Sequence, residues 1–387
     1  MSRRSLWISG LSILVLAFLA LHSEAKPLAT TSNQGVATTS NQGVAKTSNQ
    51  RFATSQWQGD VVIRTTDKVF QSGPVPTDLA DCRARIAKIV CLVEPMNADE
   101  EGDDFDQRAC EPGGESYAWA FEGHFDRSVP VIQKMYCHLS KIWIEKSFVG
   151  TAYAGLVRDS SGKTIGGGIG IRREVLESKL GFDDWLSWKE ETSFGGSADS
   201  NAPRIGVLNY VSNRPTSDFF LDYVLNHEFG HIFDFANGLN ATTECRYREK
   251  APGEWERVGT CEPLPGTWGA LSWRNVSEPL AGNDFAGREK ICFYFCNGQF
   301  LKAAEAIDLF LGMLGTNFPS TYSSRYPSED FAENFALKLA HDDGLRLKLE
   351  TGGHSLDLSG HFLGPKLDTK RRYVEDLIQK GPRYPGE

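Results

Sequence analysis

The stretch Ser217–Gly238, SDFFLDYVLNHEFGHIFDFANG, decides how this chain is read. Within it His227 and His231 stand four apart, so on a helix both imidazoles leave the same face, one turn from each other. That spacing lets both bind one zinc ion, while Glu228 beside them can take a proton from an attacking water. The surrounding residues favour a helix. Thr216 or Ser217, following Pro215, can serve as the N-cap, Asp218 falls in the first turn, and Gly238 is placed to end it. Phe220, Val224, Ile232 and Phe235 recur at helical spacing, which predicts a face buried against a core. The plainer alternative is a chance match on an ordinary core helix.

Working outward, the start of the chain reads as an export signal. Arg3 and Arg4 precede the apolar run Leu6–Leu21, and Ser23-Glu24-Ala25 offers small residues for cleavage, so residues 1–25 are expected to be a signal peptide. The run is too closely bounded to favour a lasting anchor, and no later segment is apolar for long enough to cross a bilayer. A secreted, extracellular protein without stable membrane insertion is expected, periplasmic in a bacterium. The eight cysteines, Cys82, Cys91, Cys110, Cys137, Cys245, Cys261, Cys292 and Cys296, are even in number and all follow the signal. In an exported chain that favours disulfides over thiolate metal sites, although eight cysteines allow 105 pairings and the connectivity stays open. Cys292 and Cys296 in CFYFC have no matching Cys/His pair at finger spacing. Asn240-Ala-Thr and Asn275-Val-Ser are acceptor sequons for N-glycosylation.

Residues 26–58 carry an eight-residue repeat, ATTSNQGV twice and then AKTSNQRF, rich in Thr, Ser, Asn and Gln. Such a segment cannot bury a core and reads as a low-complexity linker. From Gly59 to Glu387 the composition is continuously globular and long enough for one large domain. The formal net charge is −9, and no basic stripe points to nucleic acid. The acidic run Asp99–Asp106 could bind calcium, though a solvated loop explains it more simply.

Inside this domain Val61–Ile63 predicts a first strand, Thr77–Lys88 a helix and Ile89–Val93 a buried strand. Ser128–Lys146 reads as one capped amphipathic helix, with Pro130 tolerated near its start. Thr151–Val157 and Thr164–Arg172 read as strands joined by a turn-rich loop, and Arg204–Val211 as a strand leading into the histidine helix. Strands and helices mix without a strict βαβ alternation, so the expected class is α+β. Ser161-Gly-Lys-Thr164 resembles the end of a phosphate loop, but Val157 stands where its first glycine belongs. The run Gly166-Gly-Gly-Ile-Gly170 lacks the third glycine of a dinucleotide fingerprint. A glycine-rich strand lets another backbone approach closely; in a peptidase that backbone could be a substrate added as a strand, and a plain hairpin is the alternative.

Two histidines leave a catalytic zinc one protein ligand short. A third histidine six residues beyond His231 is ruled out because Asn237 stands there, and a GTxDxxYG segment with an aspartate ligand is not found. A glutamate on a later helix remains. In Tyr322-Ser-Ser-Arg-Tyr-Pro-Ser-Glu-Asp-Phe-Ala-Glu-Asn-Phe-Ala336, Pro327 and Ser328 fit a helix start, which puts Glu329 in the first turn and Glu333 one turn further on the same face. One carboxylate can bind the metal while the other accepts a ligand histidine's free N–H. Acidic residues at a helix start are also ordinary, because the helix dipole favours them.

HEFGHIFDFANG and YSSRYPSEDFAENFA together resemble the zinc peptidase domain of anthrax lethal factor and its relatives, within the gluzincins. The first matches at HEFGH, Asp234 and Gly238, the second at a tyrosine seven residues before an E-x-F-A-E core. The resemblance covers some thirty residues. It implies a zincin-like fold with an N-terminal lobe of mixed sheet and helices and a mainly helical C-terminal lobe, and one catalytic zinc. By it, Glu329 is the third ligand beside His227 and His231, Glu333 orients a ligand histidine, Glu228 is the general base, and Tyr322 stabilises the oxyanion. Tyr326 is a neighbouring alternative for that last role, and Asp234 either bonds near the zinc helix or caps it. The stretch between the motifs is longer than in lethal factor, so residues from about 241 to 300 are expected to form a disulfide-braced insertion at the rim of the cleft. His124, His138, His341, His354 and His361 are expected to be structural or exposed, His341 being the nearest rival for third ligand. The implied activity is secreted zinc-dependent hydrolysis of peptide bonds in protein or peptide substrates. The alternative is a secreted binding or adhesion module with a structural or inactive zinc site.

Overall fold

The computed structural model describes residues 63–65, 74–94, 109–146, 148, 150–159, 163–177, 181–195, 206–211, 215–251, 254–293 and 301–387. The expected signal peptide, the repeat, Val61–Val62 and the acidic run Asp99–Asp106 lie outside the described residues. β1 (Ile63–Thr65) precedes α1 (Leu79–Ile89), which runs straight into β2 (Val90–Val93). The Asp78 carboxylate caps α1 by accepting the Ala80 N–H at 2.7 Å. α2 (Ala118–Arg127) and α3 (Pro130–Cys137) lead into β3 (Leu139–Glu145), β4 (Ala152–Asp159) and β5 (Thr164–Arg172). After α4 (Arg173–Glu177), α5 (Phe182–Thr192) and β6 (Gly206–Val211) comes α6 (Thr216–Asn237), which carries the two histidines. The hairpin β7 (Arg246–Ala251) and β8 (Glu254–Val258) follows, then α7 (Ala306–Leu314), α8 (Pro327–Asp342), β9 (Arg346–Thr351), β10 (His354–Asp357), α9 (Leu358–Leu363) and α10 (Asp368–Lys380).

The main sheet is mixed, in the order β1-β4-β5-β3-β2. Only β4 and β5 pair antiparallel, as expected for strands joined by a short turn; the other neighbours are parallel. The class is α+β. Besides its helices the C-terminal half holds two strands, β9 pairing with β6 and β10 with β9, in a second sheet ordered β10-β9-β6. No helix among the described residues is long and apolar enough to cross a membrane.

The single helix expected over Ser128–Lys146 is not there. α3 stops at Cys137, and β3 takes the rest. Every residue of β3 is buried, Ser140 and Lys141 included, because the strand lies inside the sheet between β2 and β5. A strand covered on both faces reads as a near-continuous apolar run, which periodicity does not separate from helix. Of the two readings of the glycine run the plain hairpin is the one that forms, β4 and β5 pairing antiparallel, and strand addition is the one that fails. β5 is paired on both sides, so no incoming peptide can be added to it. Its glycines make room for side chains instead. A Cβ at Gly168 would meet the Trp143 ring at 2.4 Å, and one at Gly170 the Tyr153 ring at 2.0 Å. At Gly167 a Cβ would stand 3.0 Å from Ile232 of α6, so this bare backbone seats the histidine helix on the sheet.

Disulfides join Cys82 to Cys137, Cys91 to Cys110 and Cys245 to Cys261, and Cys292 is disulfide-bonded as well. The Cys245–Cys261 bridge braces the segment expected as a rim insertion. That segment also enters the core. Trp268 and Trp273 are fully buried, Trp268 edge-on to Phe331, and the Trp273 Nε1–H donates to Asp330 Oδ2 at 3.2 Å.

Both sequon asparagines are buried, at 3% and 7% exposure. Asn240 Nδ2 donates to Asp234 Oδ2 at 2.7 Å and to the Pro327 carbonyl at 3.1 Å, and Asn275 Nδ2 donates to Glu278 Oε2 at 3.0 Å. A glycan on either nitrogen would break these bonds and need space that the fold fills. The chain purified in folded form from a glycosylating cell is therefore expected to carry no N-glycan at Asn240 or Asn275. Intact mass before and after N-glycosidase treatment checks this, and a mass loss assigned to either site in folded protein contradicts it.

Candidate metal centre

α6 starts at Thr216, which is its first helical residue and not its cap, with Pro215 just before it. It ends at Gly238, whose φ of 61° is left-handed, so glycine here stops the helix without strain. α8 starts at Pro327, where a missing N–H costs nothing. The two helices pack through Phe233 on Phe335, ring centroids 5.3 Å apart. At Gly230 they nearly touch: a Cβ there would lie 2.9 Å from Ala332 Cα. That approach puts Glu329 and Glu333, a turn apart on α8, against His227 and His231, a turn apart on α6.

His227 Nε2, His231 Nε2 and Glu329 Oε2 converge. The two nitrogens are 3.1 Å apart, and the carboxylate oxygen lies 3.2 Å from the first and 3.4 Å from the second. Ligands at about 2.0–2.1 Å around a tetrahedral ion stand about 3.3 Å from each other, so this group could hold a metal ion. Two imidazole nitrogens facing each other at 3.1 Å need a proton or a cation between them.

Around this group the charges are arranged to favour a cation. Burial pulls the His227 imidazole down, but its hydrogen bonds to Glu329 and Glu333 outweigh that and raise it to about 10. Burial pushes Glu329 up, yet the charge of His231 and the hydrogen bonds from both histidines hold it well below the ordinary carboxylate range. Glu333 is likewise pushed up by burial and brought down to about 2 by the Lys189 charge and the His227 hydrogen bond. His227 Nδ1 donates to Glu333 Oε1 at 3.1 Å, and the Ser320 hydroxyl donates to Glu333 Oε2 at 2.7 Å. Glu333 therefore fixes which nitrogen of His227 faces Glu329. Glu228 lines a cavity with His227, and burial raises its carboxyl against the pull of His227 and His231. Its Oε2 is buried without a hydrogen-bond partner, and so is Nδ1 of His231.

The cavity that adjoins His227 and Glu228 is small and open to solvent. Ala152, Trp185, Lys189, Tyr223, Glu228 and Tyr322 line it. Tyr322 lies beside His227, ring centroids 5.9 Å apart. Tyr326, the alternative donor, is half exposed with the Arg325 guanidinium 5.7 Å above its ring, and it does not line the cavity. Asp234 serves the turn after α6: it accepts the Asn240 backbone and side-chain N–H groups at 3.0 and 2.7 Å. The other histidines sit elsewhere. His124 bridges the Tyr136 hydroxyl and Asn226, His138 meets the Pro385 carbonyl, and His361 the Phe318 carbonyl. His341 is buried against Phe362, and His354 is exposed.

Sequence reasoning did not anticipate Lys189, Glu190, Ser320 or Thr321. One signal existed: Phe182, Trp185, Leu186 and Lys189 recur at i, i+3, i+4 and i+7, which puts the lysine on the apolar stripe of α5.

Two outcomes test this geometry. Gly230→Ala forces α8 away from α6, so metal affinity of the stripped chain should fall about 10-fold or more; unchanged affinity in a chelator competition would show that the close approach does not matter. Burial pushes the Glu190 carboxyl up to about 7, against the hydrogen bond from Thr321. The folded chain thus holds this proton more tightly than the unfolded chain. Its contribution is complete below a pH of 4.5 and is lost as the pH rises through about 7. Glu190→Gln should flatten the decline in stability over that window, read by urea unfolding; a slope equal to that of the unmodified chain excludes the effect.

No family model matches the chain, and no curated protein or solved structure matches it, so its chemistry is argued from the site itself.

Proposed function

We propose that the chain is a secreted zinc-dependent endopeptidase, with His227, His231 and Glu329 as metal ligands and Glu228 as general base. The observation that carries this reading is the convergence of three ligand atoms at 3.1–3.4 Å, next to a buried carboxylate oxygen with no partner. The donor set of two imidazoles and one carboxylate suits zinc and leaves a fourth tetrahedral position for water or substrate. Zinc would polarise the scissile carbonyl and lower the pKa of water to about 7.

The residues of the chain supply the rest. Glu228 takes the proton of the attacking water and passes it to the leaving amine. Its raised pKa suits it to hold that proton between the two steps. Tyr322 donates to the developing oxyanion. Glu333 keeps His227 in the tautomer that leaves Nε2 for the metal.

A peptide substrate would add along the outer edge of β4. β1 covers only Val157–Asp159 of β4, so among the described residues the outer edge of Ala152–Leu156 is unpaired. Ala152 lines the cavity beside Glu228 and His227. A substrate added as a strand along this edge would present its carbonyls to the site, the role that the sequence had suggested for β5. The disulfides are compatible with an extracellular location.

Purified protein with Glu228→Gln should keep its zinc and lose about 10²–10⁴-fold in hydrolysis of casein or a peptide library. Tyr322→Phe should lower turnover about 10²–10³-fold with zinc retained, and Glu329→Ala should release the zinc. No hydrolysis by the unmodified chain on a broad peptide library defeats the enzyme reading; zinc held normally after Glu329→Ala removes that ligand.

A further inference from the structure

We infer that Lys189 is a positioning residue that couples the metal-holding side of the site to its oxyanion-stabilising side. This rests on the metal-centre reading above. Lys189 is 4% exposed on the inward face of α5. Its Nζ stands 3.4 Å from Glu333 Oε1, the same oxygen that accepts from His227 Nδ1. It also stands 3.9 Å from the centroid of the Tyr322 ring, with the rings of Trp185 at 5.2 Å and Phe293 at 5.8 Å. The ammonium therefore sits in a cage of three aromatic rings closed by one carboxylate.

The loop before α8 is gripped residue by residue. The Ser320 hydroxyl donates to Glu333, the Thr321 hydroxyl donates to Glu190, and Tyr322 packs against Lys189. Adjacent residues of α5 thus hold adjacent residues of that loop. A buried ammonium is costly unless paired, and so is a buried carboxylate. Lys189 supplies the counter-charge that faces Glu333, and the Glu333 oxygen it faces is the one that accepts the Nδ1–H of His227. The same ammonium fixes the plane of the Tyr322 ring. Without it, Glu333 loses its counter-charge and Tyr322 its support, although neither residue has itself been changed.

The test uses the full chain stripped of metal, zinc alone as the probe, and a chromophoric chelator as competitor. K189M, similar in volume and uncharged, should weaken zinc binding about 10–100-fold. On a peptide substrate it should lower kcat with KM within about threefold, since the ammonium supports groups used in the transition state. Y322F should cost much less on the K189M background than on the unmodified chain, because the tyrosine is already misplaced there. K189R keeps the charge but not the shape, so it should restore zinc affinity and not turnover. Unchanged zinc affinity in K189M, or strictly additive effects of K189M and Y322F, overturns the inference. If K189M does not fold, the cycle with Y322F is run on K189R, where additivity is again the overturning result. An unmodified chain that binds no zinc defeats the metal centre and this inference with it. One that binds zinc without hydrolysis defeats only the peptidase reading, and the zinc arm on K189M still decides about Lys189.

Discussion

The site depends on how closely α6 and α8 approach at Gly230 and Ala332. Each helix carries a pair of functional residues one turn apart, His227 and His231 on one, Glu329 and Glu333 on the other. A pair on one helix gives at most half a metal site. The pairs become one site only if the helix axes come near enough for a carboxylate to reach an imidazole. Glycine at 230 permits that distance, and the Phe233–Phe335 contact maintains it. Gly167 does similar work on the other side of α6, where bare backbone lets Ile232 seat against the sheet. The histidine helix is thus fixed by two contacts that each have a glycine on one side, its own Gly230 against α8 and Gly167 of the sheet against its Ile232.

Once the helices meet, electrostatics narrows what the site can be. Glu228 and Glu333 are buried and Glu329 is largely so, and an excess of buried negative charge is unstable without cations. Lys189 answers Glu333. The histidines face Glu329, and His227 is raised to about 10 because two carboxylates bond it from either side. A proton there and a metal ion there satisfy the same demand. The difference is that a metal could use His231 Nε2, His227 Nε2 and Glu329 Oε2 at once, whereas a proton joins only two of them.

Much of this was legible in the sequence where two independent signals coincided. The histidine helix had a spacing, an apolar face and a terminating glycine, and Glu329 had Pro327 before it and Glu333 after it. Where only one signal was present, the reading failed or stayed silent. β3 was taken into a helix because a strand buried on both faces has no alternation to show. The glycine run left an open backbone and a plain hairpin as alternatives; the hairpin forms, and what the run alone did not show is that its spaces belong to Trp143 and Tyr153, side chains that strand pairing brings over. Asn240 and Asn275 carry a local motif whose use requires exposure, which only the packed chain decides. Lys189 was passed over because lysines are seldom buried, and its partner is 144 residues away.

The remaining choice is between a metal that holds structure and one that does chemistry, and Glu228 bears on it most. A structural zinc is closed by four protein ligands and needs no base beside it. Here the described residues bring three ligating groups together, and a cavity open to solvent is lined by His227, one of the three, and by Glu228. Burying a carboxylate oxygen with no partner is costly, and a fold gains nothing from it when a glutamine would pack as well. The cost becomes intelligible if the partner is a water or a substrate that arrives through the cavity. On the proposed reading that partner would reach the unpartnered oxygen of Glu228 through the cavity, and the edge Ala152–Leu156 of β4, unpaired among the described residues, would carry the peptide.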